Sequence, residues 1–125
     1  DYSKFCKLLL NNGKWEKEIL ISDKTFNLFF SNQLLNKYIY EIGVNLNKDF
    51  YKDKKIAHSL GCAIFENPYE HGWYGAFSSR FRVNLNKNIA NIFMPQITFP
   101  FITSERGQNL ENSLTNYTYE LIEEG

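Results

Sequence analysis

From Trp73 to Leu85 the residues sort into two files. Trp73, Gly75, Phe77, Ser79, Phe81, Val83 and Leu85 fall on one side, and Tyr74, Ala76, Ser78, Arg80, Arg82 and Asn84 on the other. A period of two is what a half-buried β-strand requires, with one side on a core and the other toward water or a partner. The pattern predicts one continuous strand in a sheet with a wetted face. On that face Tyr74, Arg80 and Arg82 stand in line. The pattern specifies architecture and no reaction.

A chain of 125 residues suits one domain spanning 1–125 with a single core. Hydrophobic residues make up 43% and aromatic residues 17%, so burial can offset the entropy of ordering and a disordered chain is excluded. Fourteen Lys and Arg balance fourteen Asp and Glu, which disfavours non-specific nucleic-acid binding, since that needs a surplus of basic charge. The longest apolar runs, Leu8–Leu10 and Ile97–Ile102, are far short of the roughly 20 residues that span a bilayer, so no membrane partner is expected. No signal-peptide pattern opens the chain. Cys6 and Cys62 are too few and too far apart for a disulfide framework, and with no export signal they suggest a reducing, cytoplasmic setting.

Residues 2–12 admit two readings. Phe5, Leu8 and Leu9 suit a short helix stopped by Gly13, while Asn12-Gly13 is also a hairpin signal that would make Phe5–Leu10 a strand. Trp15–Ile21 reads as a strand. Ser22 or Asp23 then caps a long helix over about 23–43, with Phe26, Phe29 or Phe30, Leu34, Tyr38 and Ile42 at helical spacing. Asn45–Lys55 reads as a polar loop, His58–Phe65 as a central strand, and Tyr69–Gly72 as a connection into the Trp73 strand. Pro95 and Pro100 lack backbone donors and place the strand Ile89–Ile102 at a sheet edge or break it with a bulge. Leu110, Leu114, Tyr117 and Leu121 mark an amphipathic helix over about 108–124. The expected class is α+β: a mainly antiparallel sheet of about four strands, with the long helix and the C-terminal helix on one face.

The densest polar and aromatic group is Glu66, Asn67, Tyr69, Glu70, His71, Trp73 and Tyr74. A histidine beside carboxylates suits a general base, but no nucleophile is fixed nearby by spacing. Tyr and Trp are also favoured interface anchors, and that use needs no special geometry. Arg80 and Arg82 with Tyr74 could bind phosphates and stack bases, dock an acidic protein surface, or simply pair with carboxylates on a solvated face. A metal site would need both His58 and His71 plus carboxylates or Cys62, and nothing in their spacing suggests one.

The segment Ser104-Glu105-Arg106-Gly107-Gln108-Asn109-Leu110 resembles, over a handful of residues, the acyl-CoA-binding turn of the GNAT acetyltransferases. In that family an Arg/Gln-x-x-Gly-x-Gly/Ala turn opens a helix whose backbone donors hold a pyrophosphate. The resemblance implies cofactor contacts at Arg106, Gly107, Gln108 and Asn109. The family's two small residues correspond here to Asn109 and Glu111, and a carboxylate at Glu111 would repel pyrophosphate.

The leading expectation is a non-enzymatic protein-binding domain without cofactor, of the kind found as small bacterial or phage inhibitors or immunity proteins. Its contact surface would comprise Tyr69, Glu70, His71, Trp73 and Tyr74 with Arg80 and Arg82. The alternatives are a degenerate or truncated acyl-CoA-binding protein and a binder of single-stranded nucleic acid.

Overall fold

The computed structural model describes residues 1–35, 37–38, 55–66, 69–97 and 104–123, all but the side chains of Glu66 and Gln108. In chain order these form α1 (Tyr2–Leu10), β1 (Lys14–Trp15), β2 (Glu18–Ile19) and α2 (Asp23–Phe30). Five strands follow, β3 (Ile56–His58), β4 (Ala63–Glu66), β5 (Tyr69–Tyr74), β6 (Arg80–Asn84) and β7 (Ile89–Phe93), and then α3 (Glu105–Glu123). The five pair antiparallel in sequence order, so the sheet is a meander with β3 and β7 at its edges. The class is α+β, with five strands where about four were expected.

The Asn12-Gly13 pair closes a helix. Asn12 at φ 53° and Gly13 at φ 79° occupy the left-handed region, and the Gly13 N–H donates to the Leu8 carbonyl at 2.9 Å. The returning chain then donates to the Gly13 carbonyl from Leu20 and Ile21. Trp15–Ile21 is not one strand: it doubles back at Glu16, whose φ is 53°, to pair β1 with β2.

Ser22 caps α2, its Oγ accepting from the Thr25 N–H. The helix stops at Phe30 instead of running to 43. Polar side chains after it capture the backbone: Asn32 Oδ1 accepts from the Leu34 N–H at 2.8 Å, and Gln33 Nε2 donates to the Leu28 and Ser31 carbonyls at 3.4 and 3.3 Å. The Gln33 N–H goes to the His58 carbonyl at the end of β3. Ile42 and most of the expected loop over 45–55 lie outside the described residues.

Two further strands of the sequence reading, His58–Phe65 and Trp73–Leu85, are hairpins. His58–Phe65 folds at Ser59, whose Oγ accepts from the Gly61 and Cys62 N–H groups. Trp73–Leu85 breaks at 75–79, where the Gly75 N–H donates to the Ser79 carbonyl and Ser78 takes φ 67°. The turn holds an odd number of residues, so Trp73 faces Phe81 and Tyr74 faces Arg80 across the hairpin. Side-chain parity therefore survives the reversal, and alternation reads straight through it. Residues 69–72, expected as a connection, form the first half of β5.

Phe81 and Val83 join Cys6, Leu9, Phe26, Phe30 and Cys62 in the core, so α1 and α2 cover that face. Arg80, Arg82 and Asn84 point to the other face and meet α3. The helices thus take both faces, not one. The arginine file needs an acid and hydrogen-bonding partners above it, which an apolar helix stripe cannot supply. Accordingly α3 turns Glu111, Thr118 and Tyr119 inward and leaves Leu110, Tyr117 and Leu121 outward at 38%, 60% and 54% exposure. No α3 side chain belongs to the core cluster among the described residues.

Candidate functional site

Between β5, β6 and α3 lies a closed polar cluster. Arg82 Nη2 is 2.7 Å from Glu111 Oε1 and also donates to the Tyr74 hydroxyl, which itself donates to Oε1 at 3.0 Å. Arg80 Nη1 sits 3.3 Å from Oε2 of the same carboxylate, an ion pair without the alignment of a hydrogen bond. Each arginine side chain is 6% exposed and that of Glu111 is 11% exposed. Further along, the Tyr119 hydroxyl donates to Glu70 Oε1 at 2.8 Å and accepts from Asn84 Nδ2 at 2.8 Å. Two arginines on alternate positions of one strand can share a carboxylate only because a single helix residue reaches down between them.

The sheet is shaped for this. Gly72 stands opposite Arg82 in the register, and a Cβ there would meet the Phe81 carbonyl oxygen and come within 2.9 Å of Arg82 Cδ. The missing side chain makes room for the guanidinium to lie over the Phe65 ring, 3.2 Å from its centroid, and 4.8 Å from that of Tyr74. The Arg80 guanidinium stacks on Phe93 at 4.9 Å. Aromatic faces thus hold both cations where water cannot, by cation–π attraction.

Burial alone would raise the Glu111 carboxyl, but Arg82 and Arg80, with hydrogen bonds from Arg82 and Tyr74, bring it below its ordinary value. Burial dominates at Glu70 and raises it, against the Tyr119 hydrogen bond and the charge of Arg82. Of two carboxyls in one cluster, Glu111 is held ionised and Glu70 is displaced toward its acid form. Burial and the hydrogen bond to Glu70 push the Tyr119 phenol up to about 12. Arg80 is pulled down by burial while Glu111 pulls it back.

The expected surface residues therefore part company. Glu70, Tyr74, Arg80 and Arg82 come together, but under α3 and not on a wetted face; this corrects the placement of both arginines. Tyr69, His71 and Trp73 alternate onto the opposite side of β5. His71 is fully buried, in edge contact with Phe30 at 4.3 Å and Tyr69 at 5.0 Å. Neither ring nitrogen has a hydrogen-bond partner among the described residues, and burial lowers its pKa to about 4. Tyr69 and Trp73 are half-exposed, the Trp73 ring edge-on to His58. At the α3 entrance Arg106 and Asn109 are exposed, the buried Gly107 donates its N–H to Ser104 Oγ, and the Gln108 side chain lies outside the described set. No group of three or more His, Cys, Asp or Glu gathers closely enough to hold a metal ion among the described residues.

Sequence reasoning missed Glu111, Tyr119 and Asn84 as members of the cluster. A signal existed: two arginines alternating with Phe81 and Val83 in a strand call for an acid, and α3 carries Glu111 about a quarter-turn around from its leucine stripe. Chemically, the cluster is a set of convergent donors around one carboxylate, with no nucleophile among its members. No helix among the described residues is long and apolar enough to cross a membrane. No protein-family model matches the chain, and no match is found among curated proteins.

Proposed function

We propose that this protein is a non-enzymatic binding domain that acts by stoichiometric contact with another protein, in the manner of an inhibitor or immunity protein. The observation that carries this reading is the outward apolar stripe of α3. Leu110, Leu114, Tyr117 and Leu121 recur with spacings of four, three and four, the repeat that seats a helix against another helix or in a groove. Leu110, Leu114 and Tyr117 line an open surface groove of about 540 Å³, with Ser113, Asn116 and Glu120 among the described residues. A helix that buries Glu111 while it leaves Leu110, Tyr117 and Leu121 exposed departs from the usual pattern of a surface helix, and a partner covering them restores it. With Arg80 and Arg82 enclosed, α3 replaces them as the main contact. Half-exposed Tyr69 and Trp73 are a secondary aromatic surface. Two free, buried thiols, Cys6 and Cys62, fit a cytoplasmic setting.

A photo-crosslinking amino acid at position 117, with one at exposed Lys24 as control, tests the reading in host extract. The expected result is one discrete protein adduct at 117 and none at 24. With that partner purified, Tyr117→Glu should weaken binding by about 2 kcal/mol or more, roughly thirtyfold. Unchanged affinity, or adducts only between copies of this chain, would remove the proposal.

A further inference from the structure

The cluster beneath α3 sets two buried guanidiniums against the single carboxylate of Glu111, and not all of their hydrogen bonds are made. A carboxylate offers two oxygens, and here Oε1 takes Arg82 and Tyr74 while Oε2 faces Arg80 as an ion pair without a hydrogen bond. Arg82 Nη1, on a side chain only 6% exposed, has no hydrogen-bond partner among the described residues. Glu70 belongs to the same cluster, but its hydrogen bond is spent on Tyr119. A buried guanidinium with an idle donor is costly, and it is the fork geometry that suits tetrahedral oxyanions.

We infer that Arg80, Arg82 and Tyr74 form an oxyanion-binding site, best matched to a phosphate group, in which the Glu111 carboxylate of α3 is the built-in occupant. The base of the site belongs to the sheet: β5 supplies Tyr74, β6 supplies both arginines, Gly72 leaves the clearance, and Phe65 and Phe93 back the guanidiniums. The plug belongs to α3, which is joined to the sheet by polar contacts: Thr118 to Asn91, Tyr119 to Asn84 and Glu70, and Lys87 to Glu123. A phosphate in place of the carboxylate brings further oxygens and a larger charge to the same donors. The site stands whether or not a partner takes the outer stripe of α3.

Removing the plug from the full chain tests this. Glu111→Ala keeps α3 and the three donors, and inorganic phosphate is the probe, with formate as a small carboxylate and sodium chloride at matched ionic strength as the control. Phosphate also stabilises proteins generally by exclusion from their surfaces, so each shift is read relative to the wild type in the same buffer. The expected result is a Tm rise in E111A about 5 °C or more beyond the wild type at about 50 mM phosphate, with a smaller rise in formate. The double variant E111A/R82L should lose that excess. If E111A is unfolded in chloride, phosphate at about 100 mM should restore its near-ultraviolet circular dichroism. A folded E111A that gains nothing over the wild type, an unfolded one that phosphate does not restore, or a double variant that responds equally would each overturn the assignment.

Discussion

His71 offers the sharpest test of how the sheet's inner face is built. Its ring is sealed against Phe30 and Tyr69, and both nitrogens lack partners among the described residues. Burial therefore holds its pKa at about 4, against 6.5 for an exposed histidine. Above pH 6.5 the ring is neutral in folded and unfolded chains alike, and it contributes nothing to pH dependence. As the pH falls below 6.5 the unfolded chain takes up a proton that the folded chain refuses until about 4. Stability is thus fully present above 6.5 and is lost on acidification down to about 4. At about 1.4 kcal/mol per pH unit, the gap amounts to about 3 kcal/mol. Glu70 opposes this: its raised pKa stabilises the protonated form in the folded chain, a contribution lost as pH rises. The wild-type curve is a composite, so the variant His71→Leu isolates the histidine. Urea unfolding of both proteins between pH 4 and 7.5 should show the leucine variant near wild-type stability at pH 7.5 and gaining about 3 kcal/mol over it by pH 4. At neutral pH, removing two unpaired buried nitrogens is worth about 1–3 kcal/mol, which offsets the lost ring contacts. A pH-independent difference, or an NMR titration of His71 near 6.5, would refute the account.

Two other substitutions probe the sheet's opposite face. Gly72→Ala should destabilise by about 2 kcal/mol or more, because the new methyl meets the Phe81 carbonyl and the Arg82 stem; thermal unfolding measures it, and near-neutrality would mean the strands shift freely. Lys87→Ala, by contrast, removes an ion pair to Glu123 whose side chains are 45% and 69% exposed, and a change beyond about 1 kcal/mol in chemical denaturation would contradict its solvated setting.

Much of this fold was legible because hydrophobic alternation is local. Trp73 and Phe81, and Tyr74 and Arg80, were assigned correctly to opposite sides even though one strand was expected and a hairpin formed. What alternation does not carry is chain direction, since a turn with an odd number of residues leaves parity intact. The extent of α2 was misjudged because Leu34 continues the helical period while Asn32 and Gln33 divert the backbone. The site was half legible. Tyr74, Arg80 and Arg82 were found together, but a residue's side of a sheet does not say whether that side is wet. The partner that encloses them, Glu111, sits 29 residues away on a helix whose leucine stripe predicted the reverse orientation.

The polar seam under α3 has a calorimetric consequence. Heat capacity rises when hydrocarbon is hydrated and falls when polar groups are. Lifting α3 would hydrate guanidinium, carboxylate, amide and hydroxyl groups while its leucines, already outside, change little. Such an opening carries little of the heat-capacity increment that accompanies melting of the core around Leu9, Phe30 and Val83. Cooling, which weakens apolar adhesion, would loosen the core more than it loosens this helix.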